Sequence, residues 1–175
     1  IEQSFEGMLL KMDGKEVWTG LIGQHNAYNL LALYTTATTL GADPEETLVA
    51  ISALKPAPGR LENIRGPKDT SVIIDYAHTP DALENVLKTL REIAPGHELI
   101  CVFGCGGDRD KTKRPEMAQV AQKLADKIIV TSDNSRTEKT ADIMADIKAG
   151  MDISGKARSL FIEDREQAIR TAIMI

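Results

Sequence analysis

The C-terminal two-thirds of the chain alternates short apolar segments with amphipathic ones. The apolar segments span 71–75, 98–103, 127–131 and 158–162, and we predict that each is a β-strand. Apolar residues at helical spacing follow each strand, predicting helices from Thr79-Pro80, over 115–125, over about 140–151 and from Asp164. Such alternation implies right-handed crossovers between parallel strands. The sequence therefore predicts an α/β fold, a Rossmann-like and mostly parallel sheet with flanking helices.

The first part of the chain has a different pattern. Segments 5–10 and 16–22 are predicted strands of a β-hairpin around the turn signal Asp13-Gly14. Helices are predicted over 26–40, which Gly41 closes, and from Asp43 to about Leu54. Residues 55–59 (Lys-Pro-Ala-Pro-Gly) break all periodicity and are the best linker candidate. We therefore expect two domains, 1–57 and 58–175.

Charge and cysteine content exclude some classes of function. The net charge of −5 argues against general binding to nucleic acid or to a membrane surface, which needs clustered cations. No apolar run approaches the roughly 20 residues of a membrane span. Cys101 and Cys105 have no further Cys or His at metal-ligand spacing, so we expect reduced thiols in a cytoplasmic protein and no metal site. The chain starts on Ile1 in an apparent strand and stops on Ile175 in an apparent helix, so we expect it to be part of a longer protein.

Ligands of parallel sheets bind outside the carboxyl ends of the strands. This rule selects the loops after residues 75, 103 and 131, which are all rich in polar and charged residues. In the first loop, helix capping accounts for Thr79 and Pro80 but not for a carboxylate and an imidazole together, Asp75 and His78. We therefore predict that this loop faces a ligand.

The second loop, 104–107 (Gly-Cys-Gly-Gly), is followed by a cluster of charged residues. It is a weak phosphate-cradle candidate, because Arg109 stands where a dinucleotide fingerprint needs its third glycine. Two interpretations remain open. The loop is either a turn of close backbone approach that presents the charged residues or a merely solvated charged loop.

The third loop carries residues 133–136 (Asp-Asn-Ser-Arg). With Arg109 nearby, it joins anionic and amide groups to two guanidiniums, and an arginine fork matches carboxylate geometry. This combination suits a ligand with both an ammonium and a carboxylate, which is an amino acid. The alternative is a simple Asx-turn.

A further polar segment, 23–29 (Gly-Gln-His-Asn-Ala-Tyr-Asn), lies where a strand leads into a helix. One interpretation is an Asn cap at the helix start with a buried Tyr28. That interpretation leaves Asn29 unexplained. Its amide can meet a donor and an acceptor at once, as an adenine edge requires.

Taken together, these segments resemble the Mur ligases of peptidoglycan synthesis. Within that family they are most similar to the branch that adds meso-diaminopimelate to UDP-N-acetylmuramoyl-L-alanyl-D-glutamate. The matching segments keep the family's order and spacing, at 23–32, 59–62, 75–81, 102–110 and 131–138. The elements around 25–29 and 59–60 are shared with the wider superfamily that includes the folylpolyglutamate ligases.

The resemblance implies an ATP-driven amide ligase of cell-wall biogenesis, and hence of cell shape and division. ATP phosphorylates the glutamate side-chain carboxylate of the nucleotide-linked dipeptide, and the diaminopimelate amine attacks the acyl phosphate. The implied nucleotide-binding residues are Asn29, Arg60, Asp75 and His78. The implied diaminopimelate-binding residues are Arg109, Asp133, Asn134, Ser135 and Arg136.

Three features depart from the family pattern. Ser135 replaces the usual proline of the diaminopimelate motif, which loosens the turn but keeps the contacting side chains. No Gly-x-x-x-x-Gly-Lys-[Ser/Thr] loop occurs, so the ligands of Mg²⁺ are expected outside this chain. The late Gly-Lys-Gly-His-Glu segment is also missing.

These departures imply that residues 1–57 end the central ATPase domain and that 58–175 are most of the C-terminal domain. We expect no catalytic residue here, no activity of the chain alone, and partnership with the remaining domains of the same ligase. Two alternatives remain. A sister ligase would add lysine or glutamate, although Arg136 argues against lysine, which has no distal carboxylate. A non-catalytic nucleotide- or amino-acid-binding module could keep the same fold.

Overall fold

The computed structural model describes residues 1–67 and 70–175. It divides into two compact units, Ile1–Tyr76 and Ala77–Ile175.

The first unit opens with an antiparallel sheet of β1 (Glu2–Ser4), β2 (Gly7–Met12) and β3 (Lys15–Thr19). The turn between β2 and β3 has positive φ at both central residues, 50° at Asp13 and 77° at Gly14. Positive φ at both positions gives the tight turn whose twist matches a two-residue hairpin. The predicted hairpin is confirmed, with strand limits that differ by a few residues. The sequence did not predict β1.

Two helices follow, α1 (Gln24–Thr39) and α2 (Pro44–Ser52). Gly41, at φ 93°, ends α1 as predicted. The Asp43 carboxylate accepts from the backbone N–H groups of Glu45 and Glu46, so it caps α2 as predicted. The two helices and the hairpin share one apolar core.

The first unit ends with an antiparallel pair, β4 (Glu62–Arg65) and β5 (Ser71–Ile74). The prediction that segment 71–75 belongs to the parallel sheet is therefore wrong. β5 pairs with the strand that precedes it in sequence, from Glu62 opposite Ile74 to Arg65 opposite Ser71. Such local pairing needs only a short connection, whereas a parallel partner needs a crossover.

The second unit contains the predicted parallel sheet, with β6 (Ile100–Phe103), β7 (Lys127–Val130) and β8 (Ser159–Phe161) in that order. Five helices belong to this unit among its described residues: α3 (Pro80–Ile93), α4 (Lys113–Leu124), α5 (Thr140–Ala149), α6 (Ile153–Ala157) and α7 (Arg165–Met174). Four of them were predicted. The short α6, capped by Asp152, was not.

Helices lie on both faces of this sheet. Ile128 and Val130 of β7 share a core with α3, α4 and α5. Ile129, between them in sequence, points to the opposite face and is also fully buried, and α7 packs against β6 and β7. The predicted fold class is confirmed. Within the described residues, no helix is both long enough and apolar enough to cross a bilayer.

Removing a buried side chain from this core tests the packing. Ile147 on α5 is 0% exposed, whereas Ile153 on α6 is 89% exposed. We expect Ile147→Ala to lower the free energy of unfolding by about 2–5 kcal/mol, because it removes buried contacts and leaves a cavity. Ile153→Ala is the matched control and should change it by less than about 0.5 kcal/mol. Urea unfolding of both variants measures the difference, and equal losses would contradict this description of the core.

Candidate functional site

Two of the three predicted loops meet at one edge of the parallel sheet. Phe103 of β6 is paired with Val130 of β7, so the two strands end side by side. The Thr131 N–H then donates to the Phe103 carbonyl at 3.0 Å, and the Gly107 N–H donates to the Asn134 carbonyl at 2.9 Å. The two loops are therefore joined backbone to backbone.

Glycine makes this approach possible. A Cβ on Gly107 would overlap the carbonyl oxygen of Ser135, and one on Gly104 would overlap that of Thr131. Only a residue without a side chain fits where two backbones come this close. Of the two interpretations left open for this loop, the structure confirms the close backbone approach.

Arg136 joins the loops a second time. Its guanidinium Nη1 donates to the Gly107 carbonyl at 2.5 Å, and its backbone φ is 49°, in the left-handed region. The Arg136 N–H donates to the Asn134 side-chain oxygen at 3.3 Å, and the Asn134 N–H to the Asp133 carboxylate at 2.7 Å. Asn134 thus forms an Asx-turn with Arg136, while the side chains of Asp133, Asn134 and Arg136 stay exposed.

The loop is further tied at the residues that follow Arg136. The Asp108 carboxylate accepts from the Thr137 N–H at 3.2 Å and from the Thr137 hydroxyl at 2.6 Å. The Thr137 hydroxyl bond is the main cause that lowers the pKa of Asp108. These bonds hold the turn on the C-terminal side of Ser135.

A buried arginine that the sequence analysis missed lies behind these loops. Arg114 is 0% exposed, and its guanidinium forms ion pairs with Glu138 and Asp146, each at 2.8 Å. The sequence does contain a signal for the burial of Arg114, because Arg114 shares the helical spacing of the buried Met117, Ala118 and Ala121. An arginine in an apolar stripe indicates a buried partner. The predicted helix start at 115 placed it in a loop and hid this pattern.

Arg109 follows Asp108 and lies exposed at the same edge. Arg109, Asn134 and Arg136 are therefore brought to one pair of joined loops. Asp133 and Ser135 belong to the same turn, Asp133 through its bond to the Asn134 N–H and Ser135 through the carbonyl that Gly107 approaches.

Arg60 and Asp75 are brought together in the first unit. They line an open cleft of about 250 Å³ with Pro58, Gly59, Ile74 and Tyr76. The Arg60 guanidinium lies 4.8 Å from the centroid of the Tyr76 ring, a cation–π distance. The Asp75 carboxylate accepts from the Leu61 N–H at 2.8 Å, which fixes the backbone next to Arg60.

The remaining two nucleotide candidates are Asn29 on α1 and His78 before α3. Asn29 is exposed on α1, and its amide donates weakly to Asn26 at 3.4 Å. The alternative of an Asn cap with a buried Tyr28 is wrong, because α1 is capped by Gly23 without a side-chain bond and Tyr28 is 65% exposed. His78, in the second unit, precedes the Thr79 cap of α3, and its carbonyl accepts from the Lys113 ammonium at 3.0 Å.

The cysteines contribute packing and not chemistry. Both are free and buried, and burial raises the pKa of Cys101 to about 12 and that of Cys105 to about 11. Such thiols stay protonated at neutral pH and are poor nucleophiles. Over residues 1–67 and 70–175, no three His, Cys, Asp or Glu side chains cluster closely enough to hold a metal ion.

Comparison with known proteins identifies the family. The sequence profile described as "Mur ligase, glutamate ligase domain" matches residues 59–175. The chain belongs to the Mur ligase family, as the sequence predicted. The profile match begins at residue 59 and the two compact units divide after Tyr76, so the predicted domain boundary between 57 and 58 stays a prediction.

Two relatives in sequence carry the same name. A UDP-N-acetylmuramoyl-L-alanyl-D-glutamate–2,6-diaminopimelate ligase of Parabacteroides distasonis is 49% identical over 100% of this chain and 36% of its own length. One of the same name from Synechococcus elongatus is 48% identical over 97% of this chain and 34% of its own length. The chain thus spans about a third of the length of these relatives.

Solved structures agree. The structure of a ligase of that same name is 42% identical and covers 97% of this chain and 35% of its own, with a TM-score of 0.64. A Mycobacterium tuberculosis folylpolyglutamate synthase in complex with ADP and AMPPCP is 23% identical over 95% of this chain and 40% of its own, with a TM-score of 0.73. At that identity the likeness concerns the fold alone.

Acid titration tests the electrostatics of Glu138. Hydrogen bonds from Arg114 first, then from Lys111 and the Asp108 N–H, lower the pKa of Glu138 from 4.5 to about 2. The ionised form therefore stabilises the folded state above about pH 4.5, and this contribution is lost as the pH falls toward 2. We expect Glu138→Gln to lower the Tm of the chain by a constant amount above about pH 5 and by less and less below pH 4.5.

The matched control is Glu166→Gln on α7, whose carboxylate is exposed and pairs with Arg170. Its Tm difference from the unsubstituted chain should stay small at every pH, because solvent screens surface pairs. A Tm difference for Glu138→Gln that is the same at pH 7 and at about pH 3 would contradict the lowered pKa.

Proposed function

We propose that this chain selects the incoming amino acid for an ATP-dependent amide ligase. The full-length protein would add meso-diaminopimelate to UDP-N-acetylmuramoyl-L-alanyl-D-glutamate in peptidoglycan synthesis. One observation carries this proposal: Arg109 and Arg136 extend from two loops that are hydrogen-bonded to each other at the sheet edge. The names of the relatives in sequence support it.

The chemistry of the amino acid explains why two arginines are suitable. Diaminopimelate carries an ammonium and a carboxylate at each end, while lysine lacks the distal carboxylate. A guanidinium fork binds a carboxylate through two parallel hydrogen bonds. Within the described residues the Arg109 guanidinium forms no hydrogen bond or ion pair, and Arg136 uses Nη1 on Gly107, so donors remain for a ligand.

In the proposed reaction, ATP transfers its terminal phosphoryl group to the glutamate side-chain carboxylate and ADP leaves. The diaminopimelate amine then attacks the acyl phosphate, the amide bond forms, and phosphate and a proton are released. The residues of this chain would hold and orient the amino acid, which brings a bimolecular step closer to a unimolecular one. Because both ATP and the nucleotide-linked dipeptide are cytoplasmic substrates, the ligase would act in the cytoplasm.

For the nucleotide, we propose contacts from Asn29, Arg60, Asp75 and His78. The cleft between Arg60 and Asp75 supports this for two of them, because a guanidinium suits a phosphate and a carboxylate suits ribose hydroxyls. Mg²⁺ would accompany ATP, but the described residues hold no cluster that fits it, so none of them is assigned to the metal. We further propose that residues 1–57 belong to the central domain and 58–175 to the C-terminal domain.

Two alternatives remain distinguishable. A sister ligase that adds lysine would not need a cationic side chain for a distal carboxylate, whereas glutamate carries such a carboxylate and is distinguished by its product. A non-catalytic module of the same fold would bind a nucleotide or amino acid without forming an amide. Product analysis with the full-length protein separates all three.

The nucleotide contacts can be tested in the full-length ligase. We expect Arg60→Ala and Asp75→Ala each to raise the KM for ATP by roughly tenfold or more, because a charge-assisted hydrogen bond is worth about 1.5–3 kcal/mol. Arg65→Ala is the matched control, since this exposed arginine of the same unit pairs with Glu6 at the surface. ATP kinetics that match the control in both variants would contradict the assignment.

The amino-acid contacts can be tested in the same way. We expect Arg136→Ala to raise the KM for meso-diaminopimelate steeply and to narrow its advantage over lysine, with little change in the KM for ATP. A site built around a polar contact rejects the analogue that lacks it by up to about 10⁴-fold, because its own groups are left unpaired. Arg136→Lys keeps the charge without the fork. Its preference for meso-diaminopimelate over lysine should therefore lie between that of the unsubstituted ligase and that of Arg136→Ala.

The control for Arg136 is Arg170→Ala, an exposed arginine on α7 that pairs only with Glu166 among the described residues. Steady-state kinetics with both amino acids measure the preference. A variant at Arg136 that keeps the original preference would mean that this loop is only a turn.

A further inference from the structure

We propose that Arg114 and Glu138 are positioning residues that set the spacing between Arg109 and Arg136, and thereby the preference for diaminopimelate over lysine. This inference rests on the proposed function. Neither residue needs to touch the amino acid. Each acts through the two loops that carry the proposed ligand contacts.

The pair forms a two-pronged contact. Arg114 Nη2 donates to Glu138 Oε1 at 2.8 Å and Nη1 donates to Oε2 at 3.0 Å. Two parallel bonds between a planar fork and a carboxylate fix orientation as well as distance. A lysine could not reproduce this geometry, because its ammonium acts as a point charge.

From this contact, bonds reach the loop at Gly106 and at Asp108, on either side of Gly107. Arg114 Nη2 also donates to the Gly106 carbonyl at 3.3 Å, and the Asp108 N–H donates to Glu138 Oε1 at 2.7 Å. Asp108 immediately precedes Arg109. The pair therefore fixes the backbone from which Arg109 extends.

The other loop is fixed through Glu138 itself. Glu138 lies two residues after Arg136, and its N–H donates to the Ser135 carbonyl at 3.0 Å. Its carboxylate thus ties the turn that carries Arg136 to α4 and to the loop that carries Arg109. A displacement of this carboxylate would change the distance between the two guanidiniums.

The burial of Arg114 argues that this contact is kept for placement. The Arg114 side chain is 0% exposed, and its Nε has no hydrogen-bond partner among the described residues. Removing a guanidinium from water costs free energy that its ion pairs offset only in part, so a buried pair is weak evidence for stability. An apolar side chain at position 114 would continue the stripe of Met117, Ala118 and Ala121 without that cost.

The experiment compares the full-length ligase with three variants of it, each carrying one substitution. Glu138→Gln keeps the shape and weakens the fork, and Arg114→Lys keeps the charge without the fork. Asp146→Asn is the matched control, because Asp146 pairs with Arg114 Nη1 but forms no hydrogen bond or ion pair with either loop in the described part of the chain. The kcat/KM for meso-diaminopimelate and for lysine, the KM for ATP and the Tm are measured for each.

We expect Glu138→Gln to lower the diaminopimelate-to-lysine ratio of kcat/KM by about 10- to 100-fold, the scale of a small misplacement of a binding group. Arg114→Lys should retain part of the preference. The KM for ATP should change less than about twofold in both. Asp146→Asn should keep the preference even where its Tm falls.

A ratio in Glu138→Gln equal to that of the unsubstituted ligase would overturn the inference. The inference is also overturned if Glu138→Gln weakens the use of ATP and of both amino acids to the same extent and Asp146→Asn does the same. That pattern would mean that the two residues support the fold in general. If the unsubstituted ligase itself forms no diaminopimelate product, the proposed function fails and the inference with it. If it does form that product and Glu138→Gln keeps the ratio, the inference alone fails.

Discussion

The backbone contact between the loops after β6 and β7 brings together the residues proposed to bind the amino acid. The Gly107 N–H donates to the Asn134 carbonyl, and the Arg136 guanidinium donates to the Gly107 carbonyl. Parallel strands that end side by side bring the loops to one edge, but glycine at 104 and 107 is what lets the chains touch. This contact converts two separate stretches of sequence into one rigid support for charged side chains.

The ion pair of Arg114 and Glu138 behind these loops keeps its charges over the physiological pH range. Hydrogen bonds lower the pKa of Glu138 to about 2, and hydrogen bonding to Glu138 raises the pKa of Arg114 further above neutrality. The thiols of Cys101 and Cys105 stay protonated because burial raises the pKa of both. Selection of a ligand here would therefore depend on where these constant charges are placed. Such placement is required to distinguish an amino acid with a distal carboxylate from one without it.

The sequence predicted the parallel sheet and its loops because apolar strands and amphipathic helices have distinct periods. It failed at 71–75, where the apolar pattern is real but the pairing is with β4, and periodicity does not encode the choice of partner. It also placed Arg114 in a loop, because Pro115 predicts a helix start at 115 whereas α4 begins at Lys113. The proposed ligand residues of the two joined loops follow from motif and position, whereas the fork that holds the loops depends on tertiary contacts between residues 24 apart.

Competition between two amino acids tests whether the full-length protein selects diaminopimelate. The protein is supplied with ATP, UDP-N-acetylmuramoyl-L-alanyl-D-glutamate and equal concentrations of meso-diaminopimelate and lysine, and the products are separated by mass. We expect nearly all of the product to carry diaminopimelate. We also expect that no product forms when ATP is omitted. Comparable amounts of the lysine product, or amide formation without ATP, would contradict it.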